Sequence, residues 1–468
     1  MSDFELKTEQ RQAIYDHDGT DVIVSASAGS GKTFVMIERL IRLILAKKLS
    51  VNELLAVTFT EKAAGEMKEK LTSAIIKSIN SGNKELKEEL LDLNMADICT
   101  IDAFCSRLVK RYFYHLDISR DFEIISDYDA FRLKTEALKL TFDKYYATKL
   151  PEFLRVVDRF SKYRKDTELR DYIIKIYQIA NIEADPNAWL DKTLFYYTEQ
   201  GLEKLEDDYL KTIKSKIKVQ IATAKLLKDK ALGEGILPYA DNMQLIIDEM
   251  TGLLSYKNIY DFNGIELELG GNIPSVDTTE DLAEFKKVFQ AERNKVKNNV
   301  KALIASIGTK TDERTRVLST KDDYLVITML VKDFANNYFN LKKEENKFDF
   351  ADISRFALQL LKNEEVGKAV REKYKNIFID EYQDVNGVQE EIFSHLAKDN
   401  EFMVGDVKQS IYGFRGCNPD LFDTKQKAFD VENKAIKLNY NFRSAPIILD
   451  RVNDIFDGIM LEDNFGID

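Results

Sequence analysis

The chain has 468 residues, 44% of them hydrophobic and 32% charged, which is material for about two to four globular domains with sizeable cores. A net charge of −12 argues against a protein that coats nucleic acid through bulk charge, but not against a local groove that binds it. No run approaches the length of a membrane span, and Met1-Ser2-Asp3-Phe4-Glu5 lacks a basic-then-apolar leader, so the expected location is the cytoplasm, with no membrane partner.

The pattern from Leu6 to Gln12 opens a short helix. An amide such as that of Gln10 both donates and accepts, as reading the edge of an adenine requires, although most glutamines are simply solvated. Val22-Ile23-Val24 then reads as a buried strand, and Phe34 to Leu45 carries a helical apolar pattern. Between them lies Ala26-Ser27-Ala28-Gly29-Ser30-Gly31-Lys32-Thr33, a small-residue loop ending in Gly-Lys-Thr. That is how a P-loop reads. Gly29 and Gly31 let backbone N–H groups curl around a phosphate, Lys32 reaches the β- and γ-phosphates, and the Thr33 hydroxyl ligates Mg²⁺. Ala26 stands where the usual pattern has its first glycine. The plain alternative is a glycine-rich turn before an ordinary helix, and strand, loop and helix in this order speak against it.

Leu54-Leu55-Ala56-Val57 is a second buried-strand pattern and runs into Thr58-Phe59-Thr60 ahead of a helix. Hydroxyls at a helix N-terminus suit a nucleic-acid phosphate, and Phe59 can stack on a base; an N-capped helix with Phe59 in the core is the competing reading. Asp97 to Phe104 repeats the unit, with Thr100 as the hydroxyl candidate. Three strand-then-helix units imply a parallel sheet with helices on its faces. From about Leu116 to Lys347 the composition turns helical, with Gly264 to Thr279 and Gly308 to Arg316 reading as loops.

Phe348 restarts the α/β pattern, and Asn376-Ile377-Phe378-Ile379 is a buried strand ending in Asp380-Glu381-Tyr382-Gln383-Asp384. Carboxylates at the end of a parallel strand lie where such sheets bind ligands: Asp380 to hold Mg²⁺, Glu381 to polarise the attacking water, Gln383 and Asp384 to link the nucleotide to neighbouring loops. Phe402-Met403-Val404 precedes a segment in which Gln409 can sense the γ-phosphate and Tyr412 and Phe414 offer flat faces to unstacked bases. After Ile436-Lys437-Leu438, Arg443 can place positive charge on the γ-phosphate in the transition state. Cys99, Cys105 and Cys417 have neither metal-site spacing nor an even count, and His17, His115 and His395 are scattered, so the only metal expected is Mg²⁺ carried by ATP.

Taken together, Gln10, Ala26 to Thr33, Thr58 to Met67, Thr100 to Phe104, Asp380 to Asp384, Gly405 to Gly416 and Asn441 to Ser444 resemble, in order, the motifs of the superfamily-one DNA helicases of the UvrD, Rep and RecB group. The wording of the P-loop and of Val404 to Tyr412, together with the long helical stretch, is most similar to the AddA type of helicase–nuclease. The resemblance implies ATP-driven 3′-to-5′ translocation on single-stranded DNA in double-strand break repair, with an AddB-like partner. It implies adenine recognition by Gln10 and Phe442, γ-phosphate contacts from Gln409 and Arg443, and DNA contacts from Phe59, Thr60, Tyr412 and Phe414. Asp102 stands where relatives often have His, so their DNA contact is not carried over to it.

The expected fold is α/β: a RecA-like P-loop NTPase domain with a parallel sheet in two parts, 1–116 and 348–438, interrupted by a mostly helical insertion, 117–347. Residues 439–468 are expected to begin a second RecA-like domain, truncated, with the nuclease absent and unwinding by this chain alone not expected. Two other readings stand beside this one: a module that binds Mg-ATP and single-stranded DNA without turnover, and a stand-alone UvrD-like repair helicase. A P-loop NTPase acting on protein or RNA is disfavoured by the aromatic Gln409 to Phe414 segment.

Overall fold

The computed structural model describes residues 6–160, 165–273, 275, 280–413 and 416–456. Its strands are β1 (Val22–Ala26), β2 (Leu54–Thr58), β3 (Asp97–Thr100), β4 (Glu123–Ile124), β5 (Lys347–Phe348), β6 (Asn376–Ile379), β7 (Glu401–Gly405) and β8 (Ala435–Leu438). Among the described residues, six of them form one sheet in the order β3-β2-β6-β7-β1-β8, every pair parallel, while β4 and β5 pair separately.

Period-2 alternation explains why these strands read as unbroken apolar runs. Val22, Val24, Leu54, Ala56, Phe378, Phe402 and Val404 point to one face. Ile23, Leu55, Val57, Ile377, Ile379 and Met403 point to the other. Both faces are covered, so both sets are buried. On the first face lie α1 (Thr8–Tyr15), α2 (Lys32–Leu45) and α3 (Glu61–Asn80), through residues such as Ile14, Met36, Leu40 and Leu71. On the second lie the helices Ile101–Tyr112, Phe350–Lys362 and Gly387–Leu396, through Phe104, Ala357, Leu361 and Phe393.

The helical stretch divides by packing. The helices Asp127–Thr148, Pro151–Phe160 and Thr167–Ala180 and the later part of Lys321–Glu344 share a core around Phe142, Phe153, Ile173, Phe334 and Tyr338. They belong to the same compact unit as the sheet, which comprises residues up to 190 and 326–444; residues 191–325 and those from 445 form the second unit. A buried ion cluster ties the helix Lys321–Glu344 to Phe350–Lys362, with Lys342 Nζ 2.7 Å from Asp349 Oδ2 and also bonded to Asp352, and Arg355 3.0 Å from Asp352 Oδ1.

In the second unit, the 35-residue helix Glu199–Gly233 packs on Leu237–Leu253 and Glu280–Ala305 around Ile217, Met243, Ile246, Phe289 and Val300. The expected loop at Gly308 to Arg316 is a helix, Lys310–Leu318. Thr309 caps it by accepting from the Asp312 N–H at 3.2 Å, and none of its residues is buried, so it carries no apolar stripe to announce it. Residues 264–273 and 275 are in neither helix nor strand; 274 and 276–279 lie outside the described residues. No described helix is long and apolar enough to cross a membrane.

Candidate nucleotide and DNA site

In a parallel sheet every strand ends at the same edge, so strand order decides which loops become neighbours. Here β2, β6, β7 and β1 lie side by side, and their C-terminal loops bring Phe59, Asp380, Gln409 and the P-loop into one row. Thr100 follows β3 at one end of that row, and Asn441 follows β8 at the other.

Beyond β1 the chain turns through Gly29 (φ +77°) and Gly31 (φ +92°), both left-handed, into the N-terminus of α2. The loop is braced by Ser30, whose N–H and hydroxyl both bond to Ser27 O, at 3.2 and 2.7 Å. Ala26 is the buried last residue of β1, where no glycine is required. Three remote residues close on the loop. Gln10 is buried and donates to Ser30 O at 3.4 Å, while its carbonyl accepts from Lys7 N–H. Asn441 donates to Ala28 O and the Phe442 N–H to Gly29 O, both at 2.8 Å. Asn441 also accepts from the N–H groups of Arg443 and Ser444, which fixes the turn that presents Arg443 beside Gly29.

The Asp380 N–H bonds to Val57 O at 2.9 Å, carrying the β6–β2 pairing one residue past the strand. The half-buried Asp380 carboxyl is pushed up to about 6, by its partial burial first and by the neighbouring Glu381 charge second, with Lys32 opposing. Glu381 adopts a left-handed φ of +54°, a backbone state that costs on the order of 1–3 kcal/mol for a residue with a side chain. Its Oε2 lies 3.3 Å from Lys32 Nζ and accepts from Gln383 Nε2 at 2.8 Å. The donor set fits Mg²⁺: a hydroxyl oxygen at Thr33 and a carboxylate at Asp380 that a nearby cation would stabilise in its charged form are both hard ligands.

After β7, the Asp406 N–H donates to Gln383 Oε1 at 2.9 Å, and the Asp406 carboxylate holds Gln409 Nε2 at 2.5 Å. Beyond Gln409, the ring of Tyr412 stacks on Phe59, with centroids 4.3 Å apart. Phe59 is therefore half-buried against an aromatic partner, not part of the core. Phe414 lies outside the described residues. Thr60 and Thr100 both serve as helix caps, accepting from the N–H groups of Ala63 and Ala103; Thr60 is exposed, and Thr100 also donates to Glu61 at 3.0 Å. Thr58 differs. It is 3% exposed at the end of β2, so its hydroxyl does not face a strand passing over the sheet edge.

A cluster beside the loop Asp380 to Asp384 had no signal in the sequence. The Tyr382 hydroxyl bonds to Glu390, and Lys425 Nζ lies 3.0 Å from Glu390 and 3.2 Å from Glu401. Lys425 comes from the amphipathic helix Pro419–Val431, where a lysine reads as one more solvated charge. Asn441 did have a signal: it lies in the same short stretch as Arg443, and the P-loop carbonyls require donors from somewhere.

A family model described as the UvrD/REP helicase N-terminal domain matches residues 6–430. The chain is also similar to bacterial proteins named as ATP-dependent helicase/nuclease subunits of the AddA type. It is 33% identical to that of Syntrophomonas wolfei subsp. wolfei, over 98% of this chain and 38% of the relative. The corresponding figures are 33%, 97% and 39% for Alkaliphilus metalliredigens. For Listeria monocytogenes serotype 4a they are 32%, 97% and 39%. The chain thus spans well under half the length of these relatives.

Proposed function

Because the chain belongs to the UvrD/REP helicase family, we propose that it is the ATP-driven motor segment of an AddA-type DNA helicase acting in double-strand break repair in the cytoplasm. Its DNA is single-stranded or a duplex end, its direction of travel is 3′ to 5′, and the full-length protein works with an AddB-like partner. The observation that carries the reading is the contact of Lys32 with Glu381, residues 349 positions apart, which makes the P-loop and the carboxylate loop one site.

In this reading, the N–H groups of the Ala28 to Gly31 loop cradle the ATP phosphates, with Ala26 and Ser27 leading into it. Gln10 and Phe442 flank the adenine. Lys32 leaves Glu381 for the β- and γ-phosphates, and Glu381, relieved of that partner, takes the proton of the attacking water. Gln409 and Arg443 stabilise charge on the transferred phosphoryl group. Thr33 and Asp380 would hold Mg²⁺, which supplies charge neutralisation at the phosphates when bound. Phe59 and Tyr412 stack on bases, together with Phe414. Thr60 and Thr100 lie near the strand's phosphates.

Equilibrium titration tests this. The chain should bind Mg-ATP, and Lys32→Ala should lose that binding without loss of fold. It should also bind a labelled oligo-dT with affinity that falls as salt rises. Failure to bind Mg-ATP would overturn the reading.

A further inference from the structure

Gln383 is 1% exposed and uses every side of its side chain. Nε2 donates to Glu381 Oε2 at 2.8 Å and, at 3.3 Å, to Asp384 Oδ2. Oε1 accepts from the Asp406 N–H at 2.9 Å, and the backbone carbonyl accepts from the Ser410 hydroxyl at 3.3 Å. The side chain fits closely over β7: a Cβ on Gly405 would come within 2.6 Å of Gln383 Oε1. One residue therefore bonds to the carboxylate beside the P-loop and to both ends of the Asp406–Ser410 turn that leads to Tyr412.

We propose that Gln383 is a positioning residue coupling the two halves of the proposed function, on which this inference rests. It holds Glu381 from one side and, through Asp406, sets the turn that carries Gln409 and leads to the Tyr412–Phe59 stack. The amide does both, since one end donates to a carboxylate while the other accepts from a backbone N–H. Glu381 Oε2 is shared between Lys32 and Gln383. When a phosphate draws Lys32 away, Gln383 is left as that oxygen's remaining partner in this arrangement. The left-handed backbone at Glu381 makes the loop a strained element, and its shift reaches Asp406 through one rigid amide. Nucleotide contact at Lys32 and base contact at Tyr412 then bias the same equilibrium, so each ligand changes the affinity for the other.

The test is a two-ligand cycle on the whole chain. Oligo-dT affinity is measured with and without a saturating non-hydrolysable Mg-ATP analogue, in the wild type and in Gln383→Met, which keeps the volume and removes all three side-chain bonds. In the wild type the analogue should change oligo-dT affinity by about fivefold or more. In Gln383→Met the ratio should fall to about one, whatever the change in the affinity for either ligand alone. Gln383→Glu, which keeps the acceptor and loses the donor, should also lose the ratio. If Gln383→Met does not fold, hydrogen exchange on the wild type decides: the analogue alone should alter protection of 406–410 while the core of β7 stays unchanged. Preserved coupling in a folded Gln383→Met, absence of coupling in the wild type, or unchanged exchange at 406–410 would each overturn the proposal while leaving the functional reading standing. Absence of analogue binding in the wild type would overturn both.

Discussion

The ring of Phe59, after β2, lies stacked against that of Tyr412, beyond β7, with an interplanar angle of 29°. The two rings occupy each other's faces, the same faces that would meet a base. In the proposed function these rings stack on bases of single-stranded DNA, which is worth roughly 1–3 kcal/mol per base. Phe59→Ala and Tyr412→Ala should each weaken oligo-dT binding by about that amount. Because the rings touch, the double variant should lose less than the sum of the two. Fluorescence anisotropy with a labelled oligonucleotide reads both effects.

Gly29 leaves no room for a side chain. A Cβ there would lie 2.8 Å from Arg443 Cβ and 2.9 Å from Asn441 Oδ1, and the left-handed φ adds roughly 1–2 kcal/mol for any L-residue. Gly29→Ala should therefore displace the Asn441–Arg443 turn, lower the melting temperature in calorimetry, and weaken Mg-ATP binding about tenfold, equivalent to ~1.4 kcal/mol.

Lys342 is 1% exposed and pairs with the buried Asp352 and the half-buried Asp349. Burial raises Asp349, but Lys342 outweighs it and holds it low, whereas Asp352 is pushed up by burial and by the Asp349 charge. Lys342→Met would leave the half-buried Asp349 without that cation and Asp352 with Arg355 alone, at a cost of about 1–3 kcal/mol. Urea denaturation should show a lowered midpoint. Asp352→Asn on the Lys342→Met background should recover part of it, since it removes the repulsion between the two neighbouring carboxylates.

Glu401 is raised to about 7, chiefly by burial and further by Asp21 and Glu390, with Lys425 opposing. Asp380 is raised to about 6. Unfolded carboxylates titrate near pH ~4, so between about pH 4 and 7 the folded chain holds protons that the unfolded chain has released. Stability therefore falls as pH rises through that window. The urea midpoint should drop between pH 5 and pH 8, and Glu401→Gln should flatten the profile by an amount on the order of 2 kcal/mol.

Much of the architecture was legible because it is written locally. A strand buried on both faces must be apolar at successive positions, so β1, β2, β6 and β7 are visible as Val/Ile/Leu/Phe runs in the sequence. The P-loop is legible for a related reason: Gly29, Gly31, Lys32 and Thr33 fall in one contiguous turn, so their proposed action on one ligand is written locally. The helix Lys310–Leu318 was not legible, because a helix that buries nothing has no apolar period to betray it. Nor was the division of the helical stretch, since which helices share a core depends on side chains far apart in the chain.

By itself, then, the sequence determined the parallel sheet, the phosphate loop and the inventory of carboxylates, amides and aromatics available to a nucleotide and a DNA strand. Tertiary structure alone decided which of these meet. The strand order β2-β6-β7-β1 sets Lys32 against Glu381, Gln383 between Glu381 and Asp406, and Phe59 against Tyr412. It also turned Thr58 inward while leaving Thr60 at the surface. The physical reason is that hydrogen bonds and ring stacking act over a few ångströms of space. Local sequence pattern fixes each element, whereas neighbourhood at the sheet edge is fixed by how the whole set of apolar faces packs.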